Sequence, residues 1–522
     1  MVNKTTTLRP RLQSLDPATG ELLTEFEPAG EEEIQAAVAR AAGAAPDWRN
    51  LGVKARISYL RRLKEVLYDR RDEVAALITR EAGKPILESV TAEVLVVLDT
   101  LDYFARHAAQ FVAPQRVPHH NLALKFKRAR LEYEPYGVVG IISPCNYPFS
   151  IPFSELIPAL VAGNTVVLKP SELTPQVGLV IGDLLRQPNF PAGVASVVLG
   201  DGLTGRALVS SAIDKLIFTG SVATGKKIQA MAAERLLPTL LELGGKDPMV
   251  VCADADLERA SSGAVWGAFT NSGQACLSVE RLYVAREVAD EFTQLCVEKT
   301  RKLRLGPGKD ATTDVGPLIR DRQVRIVEDH VADAVAKGAK VLTGGRRPAL
   351  PGFFYEPTVL AEVHHGMRVM REETFGPLLP IMTFRDEAEA VRLANDSELG
   401  LSASVWTRNR KRGEEMSRQI QAGAVMVNDC ASYFGICEAP HGGVKQSGIG
   451  RTHSRLGLME MVQVKYLDVD LAPGFPKVWW FGYDGHAVRL MRGFTDFLYG
   501  PNLARRARGL SSVLANIRKR IT

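Results

Sequence analysis

Six cysteines are spread over 522 residues, and no two of them form a CxxC pair. That spacing argues against a zinc site or a disulfide framework and suits a reducing compartment such as the cytoplasm. No HExxH sequence occurs. The His119-His120 and His364-His365 pairs stand without a nearby cluster of further ligands, so they read as surface histidines and no metal is expected. The opening MVNKTTTLRPRLQ has no apolar stretch of the kind a secretory signal needs. No run of about 18 apolar residues is present, which excludes an obvious membrane-crossing helix. Internal repeats and low-complexity segments are absent too. An excess of 65 Lys/Arg over 59 Asp/Glu is small, and no nucleic-acid partner is expected from it.

What is present is the composition of an ordinary globular protein, 46% hydrophobic and 24% charged, in a chain long enough for two or three domains. The charge is unevenly placed. Residues 471–522 hold nine Lys/Arg against two acids, so the rest of the chain is close to neutral. Residues 31–112 carry apolar positions at three- and four-residue spacing and read as helices. In NLALKFKRARLEYEP, the alternation from Leu124 to Tyr133 predicts an extended strand. From Gly137 the pattern turns to β–α units. Strands are expected at Val138–Ile142, Thr165–Leu168, Ala195–Leu199 and Lys215–Phe218. Helices are expected at Ser150–Val161, at Val177–Leu185 and from Val222. That alternation indicates a parallel sheet covered by helices, which binds ligands at the carboxyl ends of its strands. A second α/β region follows from about Asp247 to Arg451.

Several loops carry candidate chemistry, and each admits a plain reading beside the functional one. Cys276, in TNSGQACL, is either a small core residue or a nucleophile. The turn through Gly220 and Ser221 into a helix is either a β–α connection or a phosphate cradle. Lys169 and Glu172, in KPSELTP, suit the two hydroxyls of an adenosine ribose, or form a solvated loop beside Pro170. Glu242, in LLELGGKDP, is either a buried base or one half of a salt bridge. Asn146, in PCNYP, either donates to a developing oxyanion or makes a turn.

Taken together, SPCNYPFSIPFSELIPALVAGNTVVLKPSELTP, FTGSVATG, LELGGKDP, NSGQACLS, EETFGPLLP, NDSELGLSASVW and HGGVKQSGIGR occur in one order. The series resembles the NAD(P)-dependent aldehyde dehydrogenase superfamily over about residues 15–470. The resemblance implies an α/β fold with a Rossmann-type cofactor domain from 1–112 and 136–246, and a catalytic domain from 247–451. It implies a small β oligomerisation element from 113–135 and 452–470, followed by a basic aromatic extension from 471–522. It implies Cys276 as nucleophile, Glu242 as general base, and Asn146 with the Cys276 N–H as oxyanion donors. Ser143, Lys169, Ser171, Glu172, Gly220 and Ser221 match cofactor ligands, and Glu373 and Phe375 match those around the nicotinamide ribose and ring. NAD is the expected cofactor, with NADP as an alternative, and the expected assembly is a homodimer or homotetramer.

The implied reaction takes an aldehyde to a carboxylic acid through a thiohemiacetal and a thioester on Cys276. Glu242 favours release by water over transfer to CoA. A cysteine hydrolase without a redox step and a non-catalytic scaffold are the readings from other classes. Two positions depart from the commonest family pattern: Cys145 stands where a Trp is usual, and His441 where a Phe is usual. The smaller Cys145 widens the expected substrate channel and brings a second thiol near Cys276, close enough for an oxidative link to be considered. Long-chain or isoprenoid-type aldehydes suit such a channel. Succinate semialdehyde, the alternative, needs a cation for its distal carboxylate, and Arg281 is one candidate. The extension packs eight aromatics (Phe475, Trp479, Trp480, Phe481, Tyr483, Phe494, Phe497 and Tyr499) among its basic residues. It is expected either to touch a membrane surface or to pack on protein.

Overall fold

The computed structural model describes residues 10–121, 124–474 and 477–521. Thus part of the MVNKTTTLRPRLQ segment, and Phe475 of the extension, lie outside the described residues. The chain divides into two compact units, Met1–Ala113 with Glu134–Gln463, and Pro114–Tyr133 with Val464–Thr522.

The larger unit is built on two sheets. The first has six strands, in the order Gly448–Ile449, Thr239–Glu242, Lys215–Thr219, Val138–Ile142, Thr165–Lys169 and Ala195–Val197. All neighbours are parallel except Gly448–Ile449, which closes the outer edge of Thr239–Glu242 in antiparallel pairing. Val138–Ile142 reads VVGII and is buried at all five positions. Such continuous apolar strands belong to a sheet covered on both faces, because a half-exposed sheet alternates. Ile34, Ala37, Val38 and Ala41 of helix Glu31–Asn50 pack into one core with Val138, Ile142, Val167 and Leu216. Helix Ser150–Ala162 is buried along its whole length and ends at Gly163, whose φ of 108° is cheap only for glycine. The second sheet has seven strands, in the order Lys340–Thr343, Thr358–Ala361, Leu378–Phe384, Val279–Ala285, Asp247–Val251, Ser402–Trp406 and Ala424–Val427. Only Lys340–Thr343 runs antiparallel to its neighbour.

Residues 31–111 are mostly helical, as the periodicity predicts, broken by turns at Leu51 and Arg70 and by residues 83–85, and Ser89–Val94 widens into a π-helical stretch. A hairpin of Leu12–Leu15 with Leu22–Phe26 precedes them. The β–α units fall where the sequence places them, within two residues at each end.

The smaller unit contains a three-stranded sheet in the order Val462–Asp470, Lys127–Pro135 and Gln115–Val117. The strand expected from Leu124 starts later, at Lys127, because Leu124–Phe126 are spent on a turn. Two helices follow, Gly485–Tyr499 and Leu503–Ile521. No helix among the described residues is long and apolar enough to cross a membrane.

Candidate active site

Parallel strands put their carboxyl ends at one edge, and here the register makes that alignment close. Ile142 lies level with Lys169 on one side and Phe218 on the other, and Thr219 lies level with Glu242. The loops that follow carry the candidates. Ser143 is buried, its N–H bonds the Lys169 carbonyl at 3.1 Å, and its hydroxyl has no partner. Lys169 is buried with its Nζ 3.3 Å from the half-exposed Glu172, and the Ser171 hydroxyl accepts the Leu173 N–H. Beyond Gly220, the Ser221 hydroxyl accepts the Thr224 N–H and caps helix Val222–Ala233. The first turn of that helix therefore faces the same edge with N–H groups that no helical carbonyl can satisfy.

A cavity of about 330 Å³ opens there. Asn146, Gly220, Ser221, Glu242, Cys276, Glu373 and Phe375 line it, together with Cys145. Ser143, Lys169, Ser171 and Glu172 sit on the same strand ends outside that lining.

The polar approach to Cys276 is a buried scaffold. Asn271 and Ser272 both take left-handed backbone angles, which cost about 1–3 kcal/mol each unless surroundings enforce them. Glu88 accepts the Asn271 N–H at 2.9 Å, the Asn271 amide donates to the Asn146 and Gln274 carbonyls, and Ser272 donates to Gly316. A Cβ on Gly273 would lie 2.2 Å from the Gly376 carbonyl, so only glycine admits this approach. The half-buried Cys276 thiol is pushed well up by burial and by the charges of Glu373, Asp247 and Glu242. Asn146 spends one amide N–H on the Gln274 carbonyl at 3.1 Å. An amide nitrogen has two N–H donors, so the other is left for a ligand.

Glu242 is buried, and neither carboxylate oxygen makes a hydrogen bond of good geometry. The Thr452 N–H nearby goes to the His441 carbonyl at 2.8 Å. Burial, then the Glu155 carboxyl, push Glu242 well above the usual carboxylate range. Glu155 is itself buried, takes the Thr219 hydroxyl at 2.6 Å, and is pushed up to about 8. Among the described residues no Lys or Arg is bonded to Glu242, so the salt-bridge reading falls. Beside it stands His441, whose Nε2 lies 3.7 Å from Oε2 while Nδ1 meets the Tyr433 hydroxyl at 2.9 Å. Burial holds His441 neutral, at about 3. Glu373 accepts the Gly245 N–H at 3.2 Å, and a Cβ on Gly244 would collide with its carboxylate at 2.2 Å. This explains the Gly-Gly pair after Glu242.

The family model described as the Aldehyde dehydrogenase family matches residues 3–467. The chain belongs to the aldehyde dehydrogenase family. It is 42% identical to the 4,4'-diapolycopene aldehyde oxidase of Methylomonas sp, covering 94% of this chain and 92% of that one. That coverage leaves fewer residues unmatched than the extension contains, so the match runs into residues 471–522. A Mycolicibacterium smegmatis protein, named for an inferred succinate-semialdehyde dehydrogenase [NADP(+)] activity, is 40% identical over 85% of this chain and 86% of its own. Among solved structures, the NAD+ complex of an aldehyde dehydrogenase from Bacillus cereus is 34% identical with a TM-score of 0.85. It covers 88% of this chain and 94% of that one.

Sequence reasoning missed the buried ion pairs that hold the dehydrogenase's loops. Lys84 bridges Glu93 at 2.6 Å and the Asn146 carbonyl at 2.7 Å. Glu93 in turn accepts the N–H groups of Phe149 and Ser150 at the start of helix Ser150–Ala162. Glu280, paired with Lys246, accepts the Thr374 and Phe375 N–H groups at 2.9 Å and so fixes the segment carrying Glu373 and Phe375. The available signal was a charge inside an apolar run, as in TAEVLVV. Two expectations are corrected. Arg281 is fully buried and donates to the carbonyls of Lys246, Leu393 and Ala394, so it is not a substrate cation. His365 and His119 are half-buried rather than on the surface: His365 bonds Asp396 at 2.6 Å and Tyr283 at 2.7 Å, and His119 lies 3.8 Å from Asp468.

Proposed function

We propose that this aldehyde dehydrogenase oxidises a long apolar aldehyde of isoprenoid or polyene type to its carboxylic acid, with NAD or NADP as electron acceptor. The observation that carries the reading is the cavity holding Cys276, Glu242 and Asn146 together with Glu373 and Phe375. Cys276 also packs, with Met426 and Phe434, against an apolar core of Leu277, Leu401 and Tyr433. None of the described residues lining the cavity is Lys or Arg. A distal carboxylate therefore meets no cation in the lining itself, the charges of Arg320 and Arg451 reaching Cys145 and Glu242 only from outside it, and burying one without a direct partner is costly. This favours the substrate in the Methylomonas relative's name over succinate semialdehyde.

The residues fit a dinucleotide. The helix start behind Gly220 and Ser221 suits a pyrophosphate, and Lys169, Ser171 and Glu172 suit the adenosine side. The partnerless Ser143 hydroxyl, with Glu373 and Phe375, completes the set on residues 1–112 and 136–246 and the nearby segment of 247–451. The bound cofactor supplies the electron sink of the oxidation.

Cys276 Sγ adds to the carbonyl carbon as a thiolate, while the second Asn146 N–H and the Cys276 N–H meet the oxygen. Loss of two electrons and a proton from the thiohemiacetal leaves a thioester. Glu242 takes a proton from water, which attacks that carbon; the acid leaves and the thiol is restored. His441, anchored by Tyr433, faces the carboxyl that performs this step. A homodimer or homotetramer assembled through 113–135 and 452–470 is the working form of this reading.

Two variants and an aldehyde panel test it. Cys276→Ala should abolish NADH formation. Glu242→Gln should keep a first burst of NADH and slow the turnovers after it. Long-chain or polyene aldehydes should exceed succinate semialdehyde in kcat/KM. Wild-type turnover in Cys276→Ala would overturn the mechanism, and a preference for succinate semialdehyde would overturn the substrate class.

A further inference from the structure

The two C-terminal helices form a hairpin whose seam is unusually small. Asp484 caps the first helix by accepting the Ala487 N–H at 2.7 Å. Ala487, Leu490 and Gly493 of that helix are buried, as are Gly509, Val513 and Asn516 of the second. A Cβ on Gly509 would come within 2.3 Å of the Phe497 nitrogen, so the backbones approach as closely as glycine permits. Most of the larger apolar side chains of the second helix lie elsewhere. Leu503, Ala507, Leu510, Leu514 and Ile517 recur at three- and four-residue spacing and therefore share one face of the second helix. Leu503 is 84% exposed and Leu514 64%. Ahead of the hairpin, Trp479, Trp480, Phe481 and Tyr483 are exposed as well, Phe481 at 90%.

The charge around this face selects its occupant. Arg505 and Arg508 are exposed, and by helical spacing they fall on the side of the second helix away from the leucines. Residues 471–522 hold nine basic residues and only Asp484 and Asp496 as acids. A second copy of the hairpin would bring like charge against like, whereas an anionic surface complements it. Neither helix can cross a bilayer, so the geometry is that of a helix lying in the interface.

We propose that this hairpin seats the face carrying Leu503, Leu510 and Leu514 in the interface of an anionic lipid bilayer, drawn there by the net positive charge of residues 471–522. The inference stands on the hairpin alone and is independent of the catalytic assignment. The full-length protein, mixed with vesicles of equimolar phosphatidylglycerol and phosphatidylcholine or of phosphatidylcholine alone, tests it by co-sedimentation. Binding is expected to the anionic vesicles, weakening as salt is raised above about 0.1 M. The double variant Leu503→Ser, Leu514→Ser changes only exposed side chains. It should lose about tenfold or more in vesicle affinity while NADH formation stays at the wild-type rate. Arg505→Ser with Arg508→Ser, on the side facing water, should lose less than about fivefold per residue and reduce the preference for anionic lipid. Wild-type protein remaining in solution with anionic vesicles overturns the proposal. So does a leucine variant that sediments like wild type, or one that loses only self-association, which would assign the face to a second copy.

Discussion

Replacing His441 by Phe isolates what the imidazole does for Glu242. Both side chains are almost fully buried, and His441 Nε2 lies 3.7 Å from the Glu242 carboxylate. Because His441 stays neutral, its contribution is that of a donor to the charged carboxylate rather than of a counter-ion. A hydrogen bond to a charged group contributes about 1.5–3 kcal/mol, and one pKa unit is about 1.4 kcal/mol. At 3.7 Å the contact is looser than a hydrogen bond, so only a fraction of that energy applies, and the Phe variant should push Glu242 further up. The sign follows from the direction already present. Burial raises Glu242, the base works only when ionised, and its activity therefore climbs as pH rises through its folded-state value. A further rise moves that climb to higher pH. Steady-state turnover near pH 7 should fall by less than about tenfold and recover at higher pH. The NADH burst, which precedes the step Glu242 serves, should be unchanged. Stopped-flow NADH traces across about pH 6–9 read both quantities. His441→Gln keeps a donor and should restore part of the loss. A Phe variant whose steady-state profile overlays the wild type, or whose burst falls in parallel, refutes the role assigned to His441.

Two further outcomes follow from other parts of the site. Lys84→Met strands the buried Glu93 carboxylate and frees the Asn146 carbonyl, so unfolding in urea should show a loss of about 3–5 kcal/mol; an unchanged midpoint would refute the pairing's importance. Glu172→Gln removes a half-exposed negative charge at the proposed adenosine-ribose position. It should raise kcat/KM for NADP relative to NAD about fivefold, in line with about 1 kcal/mol for an exposed charge contact, and an unchanged ratio counts against Glu172 as a selector.

The first sheet was legible because a strand buried on both faces must be apolar throughout. Val138–Ile142 and Thr165–Lys169 declare themselves in VVGII and TVVLK, bounded by Gly137 and by Pro170. The grouping of Glu242, Cys276 and Asn146 was legible only through family resemblance, since nothing local distinguishes a base from a salt-bridged glutamate. What stayed hidden was set by distance along the chain. Lys84 meets Asn146 across 62 residues and Glu280 meets Phe375 across 95, and no periodicity reports such pairs. Arg281 misled for the same reason: its proximity to Cys276 in sequence says nothing of the Leu393 and Ala394 carbonyls that claim it.

The edge strand Gly448–Ile449 has a consequence for how the enzyme is made. It pairs with Leu241 and Glu242, and Ser447 ties the bend after Glu242 by donating to the Gly244 carbonyl across 203 residues. A ribosome adding about 5–20 residues per second needs roughly 10–40 s to go from the first partner to the second. For most of that interval the segment bearing Cys276 exists, while the strand bearing Glu242 has one open side. Contacts of such long span also form late in folding, because chain closure must precede them. On the proposed mechanism, a chain released before residue 447 keeps the thiol that captures an aldehyde but lacks the clamp on the base that frees the product.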